Sequence, residues 1–246
     1  MFGKIASFEL RYQLKSPVFW VSAGLFFLLT FGSVTSDNIQ IGSTANVHVN
    51  SPSAIATTFL ILSLFFMFVS TAFVANVVVR DDDTGFGPIL RATRIKKLDY
   101  LYGRFAGAFA AVLLCFLSVP LAMIVGAAMP WIDPEKLGPL RIDAYLYLFA
   151  ILALPSLFLI SAGFFALATA TRSLMTTYLG VVAFLIVYLI TTALAAKPQF
   201  RTLMAYLEPF GFGAFGDATR YWTATDRNTL LAPLAGALLW NRLLWG

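Results

Sequence analysis

The chain of 246 residues is 59% hydrophobic and 12% charged, about half the ~25% charged share of an ordinary soluble domain, and its mean hydropathy of +0.81 marks a membrane protein. One cysteine, Cys115, excludes an internal disulfide framework or a multi-cysteine metal centre, and a single histidine, His48, removes most histidine-based chemistry. A net charge of +5 would suit nucleic acid, but in so apolar a chain bases more often mark the loops kept in the cytoplasm, and no nucleic-acid partner is expected.

The first predicted element is a helix over residues 2–15. On a helical wheel Lys4, Ser7, Arg11 and Lys15 share a narrow sector, while Phe2, Ile5, Ala6, Phe8, Leu10 and Tyr12 occupy the rest. This is the pattern of an interfacial helix, apolar side down and basic side toward anionic headgroups of the lipid bilayer. Glu9 and Gln13, spaced i and i+4, interrupt the apolar side. Two readings stand: they snorkel to water or pair with nearby bases, or they face a protein partner.

Five apolar stretches follow, each long enough for a bilayer, which takes about 20 helical residues. They run from Pro17 to Val34, Ile55 to Val79, Phe105 to Met129, Ala144 to Ala170 and Met175 to Ala195, and none contains an ionisable Asp, Glu, Lys, Arg or His. A secretory signal competes for the first stretch, but the run exceeds the usual ~7–15-residue apolar core and four more spans follow. Lys4, Arg11 and Lys15 precede the first span. Arg80, Arg91, Arg94, Lys96, Lys97 and Arg104 lie between the second and third, and Arg172 between the fourth and fifth. The opposite side holds only Lys136 and Arg141 in its two loops. That bias predicts a cytoplasmic N-terminus.

The segment 197–240 is expected outside, as a stretch rich in glycine, proline and aromatics suited to the membrane interface. The chain then turns apolar again in "LLAPLAGALLWNRLLWG", where the start of a sixth span is expected. "GFGAFG", from Gly211 to Gly216, matches the spacing of a dinucleotide-binding turn. It lacks the preceding strand and an acid about 20 residues on, so interfacial backbone is the expected reading. No P-loop sequence occurs, and no nucleophile, base and oxyanion set can be assembled. Catalytic, cofactor-binding and metal-ligating residues are therefore expected to be absent. His48 reads as a solvated loop residue and Cys115 as packing. Proton-coupled carriers usually need ionisable groups within their spans. Energy for any transport is thus expected from another polypeptide.

The loop 80–104 is the most charged part of the chain. Arg80, Asp81, Asp82 and Asp83 lead into Gly85 and a Gly87-Pro88 breaker, after which "ILRATRIKKLDY" offers Ile89, Leu90, Ile95 and Leu98 among bases. A short amphipathic helix along the membrane fits, with the acids near its N-terminus. A solvated loop that merely sets topology fits as well.

Arg80-Asp81, Gly85, "LRAT" from Leu90 to Thr93, Tyr100 and "GRF" from Gly103 to Phe105 resemble the loop after the second span of ABC-2 type transporter permeases. "LPSLFLISAGFFALATATRS" from Leu154, "NRLLW" from Asn241 and the first helix "FELRYQLKSPVFW" are similar to the same family, so the resemblance covers nearly the whole chain. Where the family often has Thr-Pro, this chain has Thr93-Arg94. The pattern is closest to bacterial permeases followed by an M1-type aminopeptidase domain, of which nothing is present here.

The resemblance implies an all-α, polytopic fold: an elbow helix, five spans here of a family total of six, and a coupling helix entering a groove on the ATPase. It implies an inner-membrane permease that pairs with a second permease subunit and with an ABC ATPase subunit holding the ATP. The residues implied at the ATPase contact are Arg80, Asp81, Gly85, Leu90, Arg91, Thr93, Arg94 and Tyr100, with Glu9, Arg11 and Gln13 on the elbow helix. The rival reading is a membrane anchor for an enzyme domain absent from this chain. A lipid-modifying membrane enzyme is a third, disfavoured by the lack of intramembrane acids, bases and metal ligands.

Overall fold

The structure is a computed structural model. It describes all residues except 37–40, 43–45, 84, 86–95 and 196, and of residues 81–83, 194, 195 and 198 it describes the backbone alone. Among the described residues there are helices and no strands. Five helical segments are long and apolar enough to cross a membrane, and the protein is an all-α, multi-pass membrane protein.

In chain order, α1 (Phe2–Lys15) ends at an extended Ser16, and α2 (Pro17–Thr35) begins at once. Pro17 suits that place, since the first turn of a helix needs no N–H from its opening residue. α3 (Pro52–Asp83) is 32 residues long, about 48 Å at 1.5 Å per residue. That exceeds a ~30 Å hydrocarbon core, so one helix holds the whole second span and still carries Arg80 to Asp83 on its last turn. The expected loop 80–104 is correspondingly shorter. Its first four residues belong to α3 and its last eight to α4 (Lys97–Phe116).

Proline shapes the next two spans. α4 breaks at Leu117 before α5 (Ser118–Ala127). Pro120 lies four residues beyond Phe116 and has no N–H to give its carbonyl, which interrupts the ladder there. The fourth span runs through α6 (Ile142–Leu148), a π-helical turn (Phe149–Ala153) and α7 (Leu154–Thr171). Pro155 likewise cannot serve Ile151, and the widened turn absorbs the missing bond. α8 (Leu174–Ala195) is the fifth span.

The glycine-, proline- and aromatic-rich segment from residue 197 onward is largely helical. It holds α9 (Arg201–Leu207), α10 (Phe212–Ala218), α11 (Ala224–Thr229) and α12 (Gly236–Trp245). α11 opens with a capping box in which Thr223 and Asp226 satisfy each other's backbone N–H.

The contacts divide the chain into two compact units. The first comprises Met1–Ala23, Phe66–Cys115 and Leu157–Tyr188. Its core holds Phe73 and Val74 of α3, Ala108, Ala111 and Val112 of α4, and Phe164, Phe165 and Ala168 of α7. Phe105 packs its ring 5.1 Å from that of Phe165 and 6.0 Å from that of Phe158. Cys115 is buried, its Sγ 3.8 Å from the Phe19 carbonyl.

The second unit comprises Gly24–Phe65, Phe116–Ser156 and Leu189–Gly246. Phe59, Phe116 and Phe149, from three spans, meet at centroid distances of 6.1 to 6.2 Å. Its connecting loops are tied by polar bonds. Asn50 and Gly138 exchange two hydrogen bonds, of 2.6 and 2.7 Å. The Asn228 side chain accepts from the His48 N–H and donates to the Asn46 carbonyl. His48, expected to be solvated, is thus half-buried and bonded through its backbone.

Candidate functional site

The first unit contains an ion cluster built from three helices. Glu9 of α1 is fully buried, and its Oε2 accepts from Arg80 Nη2 at 2.7 Å and lies 3.3 Å from Arg104 Nη1. Its Oε1 accepts from Gln13 Nε2 at 3.1 Å, and the same amide donates to the Phe73 carbonyl at 3.2 Å. Arg104 also donates to the Val77 carbonyl, and the Arg80 guanidinium lies 3.9 Å from the Tyr12 ring centroid. One carboxylate therefore joins the end of α3, the first half of α4 and α1. A charge removed from water must be paired and hydrogen-bonded to be tolerated, and both carboxylate oxygens are.

α1 reaches this position because α4 is notched for it. A Cβ on Gly107 would lie 2.5 Å from the Ala6 carbonyl and 2.7 Å from Glu9 Cβ, and one on Gly103 would lie 3.0 Å from Ile5 Cβ. Two glycines four apart on one helix face let the backbones approach closely. Glu9 and Gln13 do not snorkel to water: both are buried and face other helices of the same chain, Glu9 on bases distant in sequence and Gln13 on the Phe73 carbonyl.

The remaining expected site residues fall differently. Asp81 is on the last turn of α3. Gly85 is exposed with φ +66°, a left-handed conformation that favours glycine. Tyr100 lies on α4, its ring centroid 5.3 Å from the Arg104 guanidinium. Arg11 is exposed, on the side of α1 away from Glu9. Leu90, Arg91, Thr93 and Arg94, and with them the expected coupling helix, lie outside the described residues. Arg80 is thus engaged within the fold, and Arg104, which sequence reading placed as a loop base and within "GRF" but not among the contact residues, is its partner at Glu9. The signal for Arg104 was its place between Gly103 and Gly107.

The second unit explains the "GFGAFG" stretch. Glu208 Oε1 accepts from the Phe210 N–H at 2.9 Å, and its Oε2 from the N–H groups of Gly211 at 2.7 Å and Gly213 at 3.3 Å. Gly211 has φ +95°. The turn does gather amides around an anion, as the spacing suggests, but the anion is the chain's own carboxylate. It is therefore neither a nucleotide turn nor loose interfacial backbone. Asn241 of α12 donates to the Tyr206 and Glu208 carbonyls at 2.9 and 2.8 Å. Arg242 donates to the Pro209 carbonyl at 3.1 Å and to Ser156 Oγ at 3.3 Å. Ser156 Oγ in turn lies 2.8 Å from the Leu152 carbonyl and 3.2 Å from that of Phe210. Asn241 and Arg242, noted in sequence only as part of "NRLLW", hold this turn.

No family model matches the chain, and no curated protein matches it. What the fold defines by itself is a multi-pass helical membrane protein whose first helix is bound to two later ones by a buried carboxylate.

Proposed function

We propose that this chain is the permease subunit of an ATP-driven exporter of the ABC-2 type. It sits in a bacterial inner membrane with its N-terminus cytoplasmic, and it works as a dimer with two separate ATPases that hold the ATP. The motif resemblance supports the family. The single observation that supports the mechanism is the Glu9 cluster, because α3 and α4 are the two helices that bracket the charged segment 84–96, and α1 is bonded to both.

In this reading the ATPase contacts that segment. Its closure displaces the segment, and the displacement passes into α3 and α4. The buried ion pairs make α1 move with them, since separating a desolvated carboxylate from its guanidiniums costs several kcal/mol, on the order of 3–5. The spans tilt together and open a path between the two permeases. No step forms or breaks a covalent bond on this chain.

The test is recovery of an ABC ATPase from native membranes with the affinity-tagged protein, identified by mass spectrometry. The wild type is compared with the double charge reversal Arg91→Glu and Arg94→Glu at matched expression. Repulsion placed at an interface costs several kcal/mol, so recovery falls at least tenfold in the double variant. Equal recovery from both, or no ATPase with a stable wild-type protein, refutes the proposal and favours the anchor reading.

A further inference from the structure

α5 and α6 are the two arms of a hairpin in the second unit, joined by the loop from Ala128 to Arg141. Each arm meets the rest of its span at an irregular turn, α5 at the break beside Leu117 and α6 at the π-helical turn Phe149–Ala153. Such interruptions are where helices bend. The two feet are adjacent, since the rings of Phe116 and Phe149 lie 6.2 Å apart and both meet Phe59 of α3.

The far end of the hairpin is fastened by polar bonds to two other segments of the same unit. Asn50 and Gly138 exchange their two bonds there, and the Val49 N–H donates to the Lys136 carbonyl at 3.1 Å. Arg141 Nη1 donates to the Thr229 carbonyl at 2.6 Å, and the Tyr147 hydroxyl to the Ala232 carbonyl at 2.8 Å. Asn228 joins those two segments to each other through His48 and Asn46. Gly138 permits the close fit, because a Cβ there would lie 2.7 Å from His48 Nδ1.

This position strands two hydroxyls. Tyr145 of α6 is 4% exposed, and its hydroxyl has no hydrogen-bond partner among the described residues; neither has the buried Ser118 Oγ at the start of α5. A hydroxyl taken from water without a partner opposes the state that buries it. Both stranded groups are on the hairpin, both interruptions are at its feet, and the bonds at its tip are ones that water can replace.

We propose that the α5–α6 hairpin is a hinged lid. It swings about Leu117 and the Phe149–Ala153 turn, releases its bonds to Val49, Asn50, Thr229 and Ala232, and gives the Tyr145 hydroxyl to water. α5 has 10 residues and is about 15 Å long, so a bend of ~20° moves the tip by about 5 Å. That is enough to part each tip bond. In the exporter reading this opening serves the exit step, and that role rests on that reading; the movement belongs to this chain alone and is tested without an ATPase.

The experiment is double electron–electron resonance on the full chain in lipid nanodiscs, in a Cys115→Ala background. Spin labels are placed at two exposed positions, Glu135→Cys on the hairpin tip and Thr225→Cys on α11. The latch variant Asn50→Ala with Arg141→Ala removes three tip bonds. At about fivefold each, their loss shifts the equilibrium roughly a hundredfold toward a distance about 5 Å longer. Added to the latch variant, Pro155→Ala restores an N–H for the Ile151 carbonyl, stiffens that foot and shrinks the longer population; Pro120→Ala does the same at the other foot. Tyr145→Phe, with no hydroxyl to strand, favours the closed lid and lowers the longer population about fivefold. A control pair off the hairpin, Arg201→Cys with Thr225→Cys, keeps its distance in every variant, and thermal unfolding shows that each variant is folded. A tip distance unmoved by loss of the latch, a longer population untouched by the proline variants or by Tyr145→Phe, or an equal shift in the control pair overturns the proposal.

Discussion

Replacing Glu9 by Gln removes one charge and almost no volume. Its carboxylate is fully buried between Arg80 and Arg104, whose side chains are 15% and 7% exposed. After the change two guanidiniums face an amide that neutralises neither. Removing one partner of a buried ion pair costs about 3–5 kcal/mol. Arg80 has enough exposure to recruit water, which sets the expected cost at the lower end, about 3 kcal/mol, or roughly a hundredfold in an opening equilibrium. That is less than the ~5–15 kcal/mol stability of a typical fold, so α1 detaches while the spans persist. Hydrogen–deuterium exchange is the assay. Amides of α1 exchange roughly a hundredfold faster, and those of α12, in the other unit, do not change. Replacing all three charges together, with Met at positions 9, 80 and 104, restores much of the protection, because an apolar cluster carries no stranded charge. Exchange of α1 within twofold of wild type in Glu9→Gln, or a triple variant looser than the single, refutes the reasoning.

Gly107→Val forces a side chain against the Ala6 carbonyl and Glu9 Cβ. It should cost roughly 1–3 kcal/mol and expose α1 to limited proteolysis. Gly211→Ala places a Cβ at φ +95°, 2.7 Å from Arg242 Nη2; about 1–3 kcal/mol of strain should appear as a Tm lowered by roughly 2–4 °C per kcal/mol. The Thr223 backbone N–H, followed by its hydroxyl, holds the Asp226 carboxyl below its usual range, with slight burial opposing. The cap is therefore fully formed above the ordinary value of about 3.9 and is lost as pH falls through the depressed one. A spin label at Arg227→Cys in a Cys115→Ala background should gain mobility over that acid window, and Asp226→Asn should abolish the pH dependence. In the same background, a cysteine at Arg91 should be modified only from the cytoplasmic side and one at His48 only from the opposite side, as impermeant thiol reagents will read.

The spans were legible because a bilayer imposes one simple demand, a run of apolar residues of sufficient length. Their ends were not, since charge does not stop a helix. Arg80 to Asp83 continue α3 beyond any hydrocarbon, and sequence reading placed the boundary where the apolar run ended. Pro120 and Pro155 were visible as residues, yet whether a proline breaks a helix, as at Leu117, or widens it, as at Phe149–Ala153, depends on how neighbouring turns are held. Glu9 and Gln13 stood out as polar residues on an apolar face. Their partners, Arg80 and Arg104, are far along the chain, and the sequence placed both in the loop after the second span, Arg80 at the expected ATPase contact, until the fold brought them to Glu9. The "GFGAFG" stretch read as interfacial backbone, and only the structure could show its amides gathered around Glu208.

Ser156 introduces a timing element into the second unit. Its hydroxyl has one proton and two carbonyls within reach, Leu152 at 2.8 Å and Phe210 at 3.2 Å. A hydroxyl donates once, so at any instant it serves either its own helix or the Glu208 turn. Rotation about a single C–O bond transfers the proton from one acceptor to the other while every heavy atom stays in place. The turn is therefore tethered intermittently at this point and can loosen there without first disturbing the span.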